Sequence, residues 1–244
     1  MTHRVAMWSG PRNISTAMMR AWENRSDTVV VDEPFYACYL NATGIVHPMR
    51  AEIIASQSID WRDVAEQLTQ APVDADIYYQ KHMTHHMLED VDLSWTGDLV
   101  HCFLIRDPRY VVRSYLQKRD SVTCDDIGVK RQYELYRTIS EITGQNIPVL
   151  DARLTLLHPE SALRALCDRL RVPFSTNMLS WPSGRRPSDG VWSSHWYQAV
   201  ETSTGFQPYD EAPVELSAED ARVAHDSMLY YEKLLDLCDR PQST

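Results

Sequence analysis

Four short polar clusters in the 244-residue sequence carry groups suited to holding an anion or moving a proton. They are Ser9-Gly10-Pro11-Arg12-Asn13-Ile14-Ser15-Thr16, Asp32-Glu33, Lys81-His82, and Arg106-Asp107-Pro108 running on to Ser114. The first is laid out like a phosphate-binding loop in which an arginine, Arg12, stands forward of the usual lysine. Backbone N–H groups opening a helix, the Ser15 and Thr16 hydroxyls and the Arg12 guanidinium together suit a tetrahedral oxyanion. The same stretch also reads as a surface helix with Ser15 as its N-cap. Ser114 lies about two turns into the helix that follows Arg106. Both reach one phosphate only if the intervening turn folds back; otherwise Arg106 and Asp107 form a surface ion pair. Glu33 and His82 are the candidate proton acceptors.

Each cluster needs an element that delivers it. Val5 to Trp8, Val29 to Val31, Ile77 to Tyr79, Asp98 to Ile105 and Val149-Leu150 read as strands. Helical spacing or start signals mark Ser15 to Arg25, Trp61 to Gln70, Arg109 to Arg119, Asp126 to Thr143 and Pro159 to Leu170. Residues 171–210 are irregular, and a C-terminal helix is expected within 217–239, from Ala218 to Asp239. The alternation predicts an α/β fold, one domain over residues 1–244, with a mostly parallel sheet covered by helices on both faces. All four clusters then fall at the carboxyl ends of strands, where such sheets bind ligands. If Ile77 to His82 is extended, Lys81 and His82 face opposite ways and only one enters the site.

The composition narrows the function. With 24 Lys and Arg against 34 Asp and Glu, the net charge is −10, which disfavours nucleic acid and anionic membranes as partners. A small anionic ligand needs only a local cluster of cations. No apolar run is long enough for a membrane span or a signal-peptide core, and the five scattered cysteines form no C-x-x-C, so a cytoplasmic, reducing compartment is expected. The eight glycines permit no G-x-G-x-x-G, G-x-x-x-x-G-K or G-x-S-x-G. His85 and His86 are expected to be exposed or capping, and no metal site is expected. Of Trp8, Phe35, Tyr36, Tyr39, Trp181, Trp192 and Trp196, at most two are assigned to ligand contacts, because aromatics fill cores by default.

Pro11 to Thr16 resembles the P-R-S-G-T-T loop of bacterial sulfotransferases that use 3′-phosphoadenosine 5′-phosphosulfate (PAPS). Arg106 to Ser114 is similar to that family's R-x-P-x-x-x-x-x-S segment, and Arg185-Arg186 with Gly190 to His195 looks like its late R-K-G and G-x-W-x-x-H region. Trp8 to Thr16, Asp32 to Tyr36 and Trp192 to Trp196 further resemble a bacterial sulfotransferase-like branch with no settled substrate. The resemblance implies a P-loop-NTPase-like fold with PAPS as donor co-substrate. Arg12, Asn13, Ser15 and Thr16 would meet the 5′-phosphosulfate, Arg106 and Ser114 the 3′-phosphate, and Arg185 and Arg186 would belong to a loop over the nucleotide. Ile14 stands where the pattern has glycine, so a left-handed turn there is strained and a different backbone path is expected.

By analogy with phosphoryl transfer, Arg12 stabilises the leaving oxygen and no metal is required. The resemblance divides over the base. Glu33-Pro34 looks like the acid of some bacterial members, whereas Gln80-Lys81-His82 approximates the K-x-H of the cytosolic enzymes; Glu33 is the first choice. The expected activity is transfer of a sulfuryl group to the hydroxyl, or secondarily the amine, of a small-molecule acceptor. Two alternatives are a nucleotide-dependent kinase with a degenerate loop, holding Mg²⁺ at Asp32, and a non-catalytic nucleotide-binding domain.

Overall fold

Val5 to Trp8 is apolar at consecutive positions, the pattern of a strand covered on both faces. The computed structural model describes residues 2–117, 119–210 and 212–238, and places this run in β1 (His3–Ser9). The other strands are β2 (Thr28–Asp32), β3 (Ile77–Met83), β4 (Val100–Ile105) and β5 (Val149–Asp151). They form one parallel sheet in the order β2-β3-β1-β4-β5, so every expected strand is present. Val5 and Met7 enter a core with Met18, Met19 and Trp22, whereas Ala6 and Trp8 enter a second with Phe103, Leu135 and Ile139. One apolar strand thus feeds two cores, because its side chains alternate between faces.

In chain order the helices are α1 (Ser15–Glu23), α2 (Tyr36–Thr43), α3 (Arg50–Ser56), α4 (Trp61–Gln70), α5 (Pro108–Leu116) and α6 (Cys124–Ile127). They continue with α7 (Val129–Thr143), α8 (Ala152–Leu157), α9 (Pro159–Leu170), α10 (Ser193–Trp196), α11 (Gln198–Glu201) and α12 (Ala218–Leu235). α5 starts where Asp107 accepts from Arg109 N–H and Pro108 needs no partner. The expected helix over 126–143 is broken at Gly128, whose φ of 64° ends α6 after a Thr123–Asp126 capping box. α5 stops at Leu116, and α12 at Leu235; Asp239 lies outside the described residues. Residues 171–210 hold α10, α11 and a single-turn helix, so they are less irregular than expected.

β1 leads through α1 to β2 on one side, while β4 leads to β5 on the other, so the connections diverge between β1 and β4. That divergence opens a crevice at the strand ends. Gln132 of α7 ties the two ends together, donating its amide to the carbonyls of Trp8 (3.2 Å) and Leu104 (2.8 Å). Among the described residues no helix is long and apolar enough to cross a membrane. The cysteines are free; Cys102 and Cys167 are buried, and Cys38, Cys124 and Cys238 half-buried.

Candidate active site

The loop from β1 to α1 opens with Gly10, where an added Cβ would lie 2.9 Å from the Ile127 carbonyl oxygen. Only glycine lets α6 approach this closely. Asn13 is buried and donates its amide to the Leu104 carbonyl (3.1 Å), and Arg106 Nη1 donates to the Arg12 carbonyl (2.6 Å). These bonds hold a backbone in which Arg12 and Ile14 both have positive φ, 61° and 57°. The expectation that Ile14 forces another path is overturned: the isoleucine takes the left-handed turn, at a cost of about 1–2 kcal/mol. Its side chain packs against the core and its carbonyl accepts Met18 N–H at 3.0 Å, contacts that offset the strain. Ser15 is not the N-cap; Ile14 takes that place, with no side-chain cap and no acid in the first turn. The opening N–H groups of α1 therefore present uncompensated positive charge to the crevice.

The turn after β4 does fold back. Arg12 Nε donates to Ser114 Oγ at 2.9 Å, so Arg12, Arg106 and Ser114 form one group. Asp107 turns away from Arg106 and binds the Arg109 guanidinium instead (2.5 Å). Among the described residues neither Arg12 nor Arg106 has a carboxylate within ion-pair distance. Burial lowers the pKa of both, and Arg12 adds to the effect on Arg106, yet guanidinium groups stay charged. A chain of net charge −10 thus leaves two half-buried cations side by side with no carboxylate in direct contact, although the charges of Asp107 and Asp210 reach Arg106.

Arg12, Asn13, Ser15, Thr16, Arg106 and Ser114 line one cavity of about 470 Å³, which also reaches Glu33, Lys81, Tyr36, Tyr39, Trp192 and Trp196. Four of the seven aromatics considered, Tyr36, Tyr39, Trp192 and Trp196, border it; Trp8, Phe35 and Trp181 are buried elsewhere. Arg185 and Arg186 lie off the cavity wall. Arg185 donates to Ser193 Oγ (2.8 Å) and Arg186 to the Pro182 carbonyl (3.1 Å), which braces the covering segment from outside.

Glu33 follows β2 at φ 41°, its N–H donating to the Lys81 carbonyl. The buried Lys81 ammonium donates to Asp32 Oδ1 (2.8 Å), Glu33 Oε1 (2.5 Å) and Tyr197 Oη (2.8 Å), one oxygen for each of its protons. Burial alone would lower the Lys81 pKa; Asp32 and then Glu33 outweigh it, so the ammonium persists. Burial raises Glu33 above its ordinary value by more than Lys81 lowers it, and the neighbouring charge of Asp32 adds to the rise. Two carboxylates sharing one ammonium leave Glu33 a stronger proton acceptor than a surface glutamate.

His82 points the other way. It stacks on Trp8 with ring centroids 4.3 Å apart, bonds Gln80 Oε1 at 3.1 Å, and does not line the cavity. Burial pushes it down to about 3. Strand alternation therefore sends Lys81, not His82, into the site. His86 is also a correction: it is buried and stacks on Tyr36 and Tyr39, while His85 is half-buried at the cavity wall. Neither Tyr197 nor the role of Lys81 was among the sequence expectations. The only available signal was position, since Tyr197 stands two residues after His195 in a segment that caps the site. That segment is fixed by Gly190 N–H to Asp32 Oδ2 (3.2 Å) and Trp192 Nε1 to Tyr197 Oη (3.2 Å). Gly190 is required because an added Cβ would lie 2.2 Å from the Trp192 ring.

Residues 3–235 match the family model described as the sulfotransferase domain, and the chain belongs to this family of transferases. Branched-chain-amino-acid aminotransferase-like proteins 1 and 2 of Arabidopsis thaliana are 34% and 31% identical to it over 209 residues. The aligned region is 86% of this chain but 37% of each relative, so the chain spans little more than a third of their length. The sulfotransferase domain from the curacin biosynthetic pathway superposes with a TM-score of 0.54 at 15% identity, covering 95% of this chain and 98% of that one. A sulfotransferase from Alicyclobacillus acidocaldarius gives 0.52 at 10% identity, covering 98% and 97%. These likenesses establish the shared P-loop-like fold. Among the described residues no group of three or more His, Cys, Asp or Glu is arranged to hold a metal ion.

Proposed function

We propose that this domain transfers a sulfuryl group from PAPS to the hydroxyl, or less readily the amine, of a small-molecule acceptor. The observation that carries the reading is the pair of guanidiniums without a direct carboxylate partner, Arg12 and Arg106, bonded to one another's segments in a single cavity. When bound, PAPS supplies sulfur activated by its bond to the 5′-phosphate; that S–O bond breaks as the acceptor oxygen bonds to sulfur. Arg12, the Ser15 and Thr16 hydroxyls and the start of α1 meet the charge that builds on the leaving phosphate. Arg106 and Ser114 hold the 3′-phosphate. Asn13 supports the loop through Leu104. Glu33 takes the acceptor proton on Oε2, the oxygen not bonded to Lys81. His82 has no part in this chemistry.

The kinase alternative has less support, since the Asp32 oxygens are already engaged by Lys81, Tyr197 and Gly190. Calorimetric titration tests the choice. Adenosine 3′,5′-bisphosphate should bind at least about tenfold tighter than 5′-AMP, the worth of one charge-assisted contact. Arg106→Ala should erase that difference; equal losses for both nucleotides would refute the assignment. Preference for ATP with Mg²⁺ would favour the kinase, and donor binding without turnover a non-catalytic domain.

A further inference from the structure

The cavity has a second cationic point that the donor does not use. Arg119 lines it, half-buried, with its guanidinium 5.7 Å from the centre of the Tyr115 ring. Its charge acts on Tyr36, Tyr39, His47, His85 and Tyr115, which puts it at the aromatic end of the cavity. Glu33 lies on the same cavity wall, and its charge also acts on Tyr36, so the proposed base faces this end. Among the described residues no carboxylate pairs with Arg119. Two acids, Asp125 and Asp126, share the rim. The charge of Asp126 also acts at this end, on Tyr39, His85 and Tyr115. Asp126 nevertheless makes no ion pair with Arg119, and its Oδ2 is held by the Thr123 N–H and O–H (2.9 and 2.7 Å); Asp125 is exposed, where solvent screens its charge. The histidines supply no competing charge: burial above all keeps His47 and His85 below their ordinary values, against the charge of Asp126 at His85 and with a smaller contribution from Arg119.

Resting on the proposed sulfotransfer, we infer that the acceptor is a hydroxyl compound with an aromatic or apolar body and a carboxylate, and that Arg119 binds the carboxylate. The tyrosine and tryptophan rings take the body, since such walls bury apolar surface at little entropic cost. The carboxylate meets a guanidinium that can bind it through two N–H groups. With the anion anchored there, the far end of the molecule reaches towards Glu33, which is where a reacting hydroxyl is needed. Recognition of the charge thus orients the acceptor.

The test uses three matched phenols that differ only in a side chain ending in a carboxylate, a methyl or an ammonium group. Each is titrated into the protein saturated with adenosine 3′,5′-bisphosphate, so that binding is read without turnover. The carboxylate should bind about tenfold or more tightly than the methyl compound, one charge-assisted contact's worth, and the ammonium compound weakest. Arg119→Gln should bring the carboxylate-to-methyl ratio close to one, and Arg119→Glu should reverse the preference towards the ammonium. Equal binding of all three, no binding of any, or an unchanged ratio in both variants would overturn the inference. Those outcomes leave the donor reading standing if the bisphosphate still binds tighter than 5′-AMP; if it does not, the donor reading fails on its own.

Discussion

Acid should unfold this protein early, because burial holds His82, His85, His86 and His101 below their ordinary pKa. Two of them, His82 and His101, have hydrogen bonds that show what protonation breaks. Trp8 Nε1 donates to His101 Nδ1 (3.0 Å), so the other ring nitrogen, Nε2, carries the proton and donates to the Thr96 carbonyl (2.8 Å). Protonating His101 breaks the bond to Trp8. His82 donates from Nε2 to Gln80 Oε1, whose amide is oriented by its own bond to the Leu68 carbonyl (2.9 Å). Burial pushes His82 down to about 3 and His101 to about 4, from an ordinary 6.5. The unfolded chain therefore binds protons first. Stability is complete above pH 6.5, falls as pH drops below it, and stops falling on this account near pH 4 for His101 and pH 3 for His82.

Each fully buried neutral histidine costs up to about 1.4 kcal/mol per pH unit within that window. The pair costs about 4 kcal/mol by pH 5, a large part of the roughly 5–15 kcal/mol that holds an ordinary domain together. Urea midpoints read by tryptophan fluorescence between pH 7.5 and 5 measure it. His101→Gln keeps an acceptor and a donor in place of the ring, and His82→Phe keeps the stack on Trp8. Each should remove a comparable part of the slope between pH 6.5 and 5, the remainder falling to His85 and His86, which burial also depresses. Glu33 works in the opposite sense, because its raised folded pKa favours proton uptake by the folded state, but it is common to all three proteins. If the double variant loses stability as steeply as the wild type, His82 and His101 are not a cause of the acid limb.

Glu33→Gln should reduce kcat by about 10²–10⁴ with donor affinity retained, as expected for loss of a general base. In the wild type the acid limb of the kcat profile should lie above the ordinary glutamate value of 4.5, since the base works only when deprotonated and its pKa is raised. A limb at or below that value, or full activity in the variant, would remove Glu33 from the reaction. Lys81→Met should destabilise the fold by about 3–5 kcal/mol, because it leaves Asp32 and Glu33 buried without their shared cation. Adding Asp32→Asn should recover part of that loss in denaturant unfolding; no recovery would mean that packing, not charge, explains it.

The strands were legible because each one is apolar at consecutive positions or ends in a polar cluster, and burial on both faces demands that pattern in a parallel sheet. The convergence of Arg12, Ser15, Thr16, Arg106 and Glu33 followed from strand ends, whereas that of Ser114, two turns into α5, depended on the turn after β4 folding back. Other features depended on contacts far apart in the chain. α2, α3 and α8 lack a clear periodic signal, being short helices stabilised by what they touch. Gly128 splitting α6 from α7 could not be told from a glycine tolerated within one helix. His82 and Lys81 were separable only as opposite faces. Which face looked into the cavity was decided by Asp32, Glu33 and Tyr197, and Tyr197 lies 116 residues from Lys81. Arg185 and Arg186 matched a motif in sequence, but Ser193 and the Pro182 carbonyl hold them on the outside of the covering segment.

At position 14 an isoleucine takes the left-handed turn that favours glycine. Five non-glycine residues among those described have positive φ, and three of them, Arg12, Ile14 and Glu33, border the cavity. Each such residue costs about 1–3 kcal/mol and persists only where its surroundings over-determine it. Here they do. Arg106 fixes the Arg12 carbonyl, Asn13 ties the loop to β4, and the Glu33 carbonyl accepts from both Gln57 Nε2 and Tyr36 N–H at 3.1 Å. A glycine at position 14 would take the same turn without strain but would leave the loop freer before a ligand arrives. Isoleucine, held by the core, gives a loop whose N–H groups are already aimed at the charge they are to meet. On the proposed sulfotransfer, electrostatic catalysis depends on that lack of reorganisation, and the strain at Ile14 would serve preorganisation.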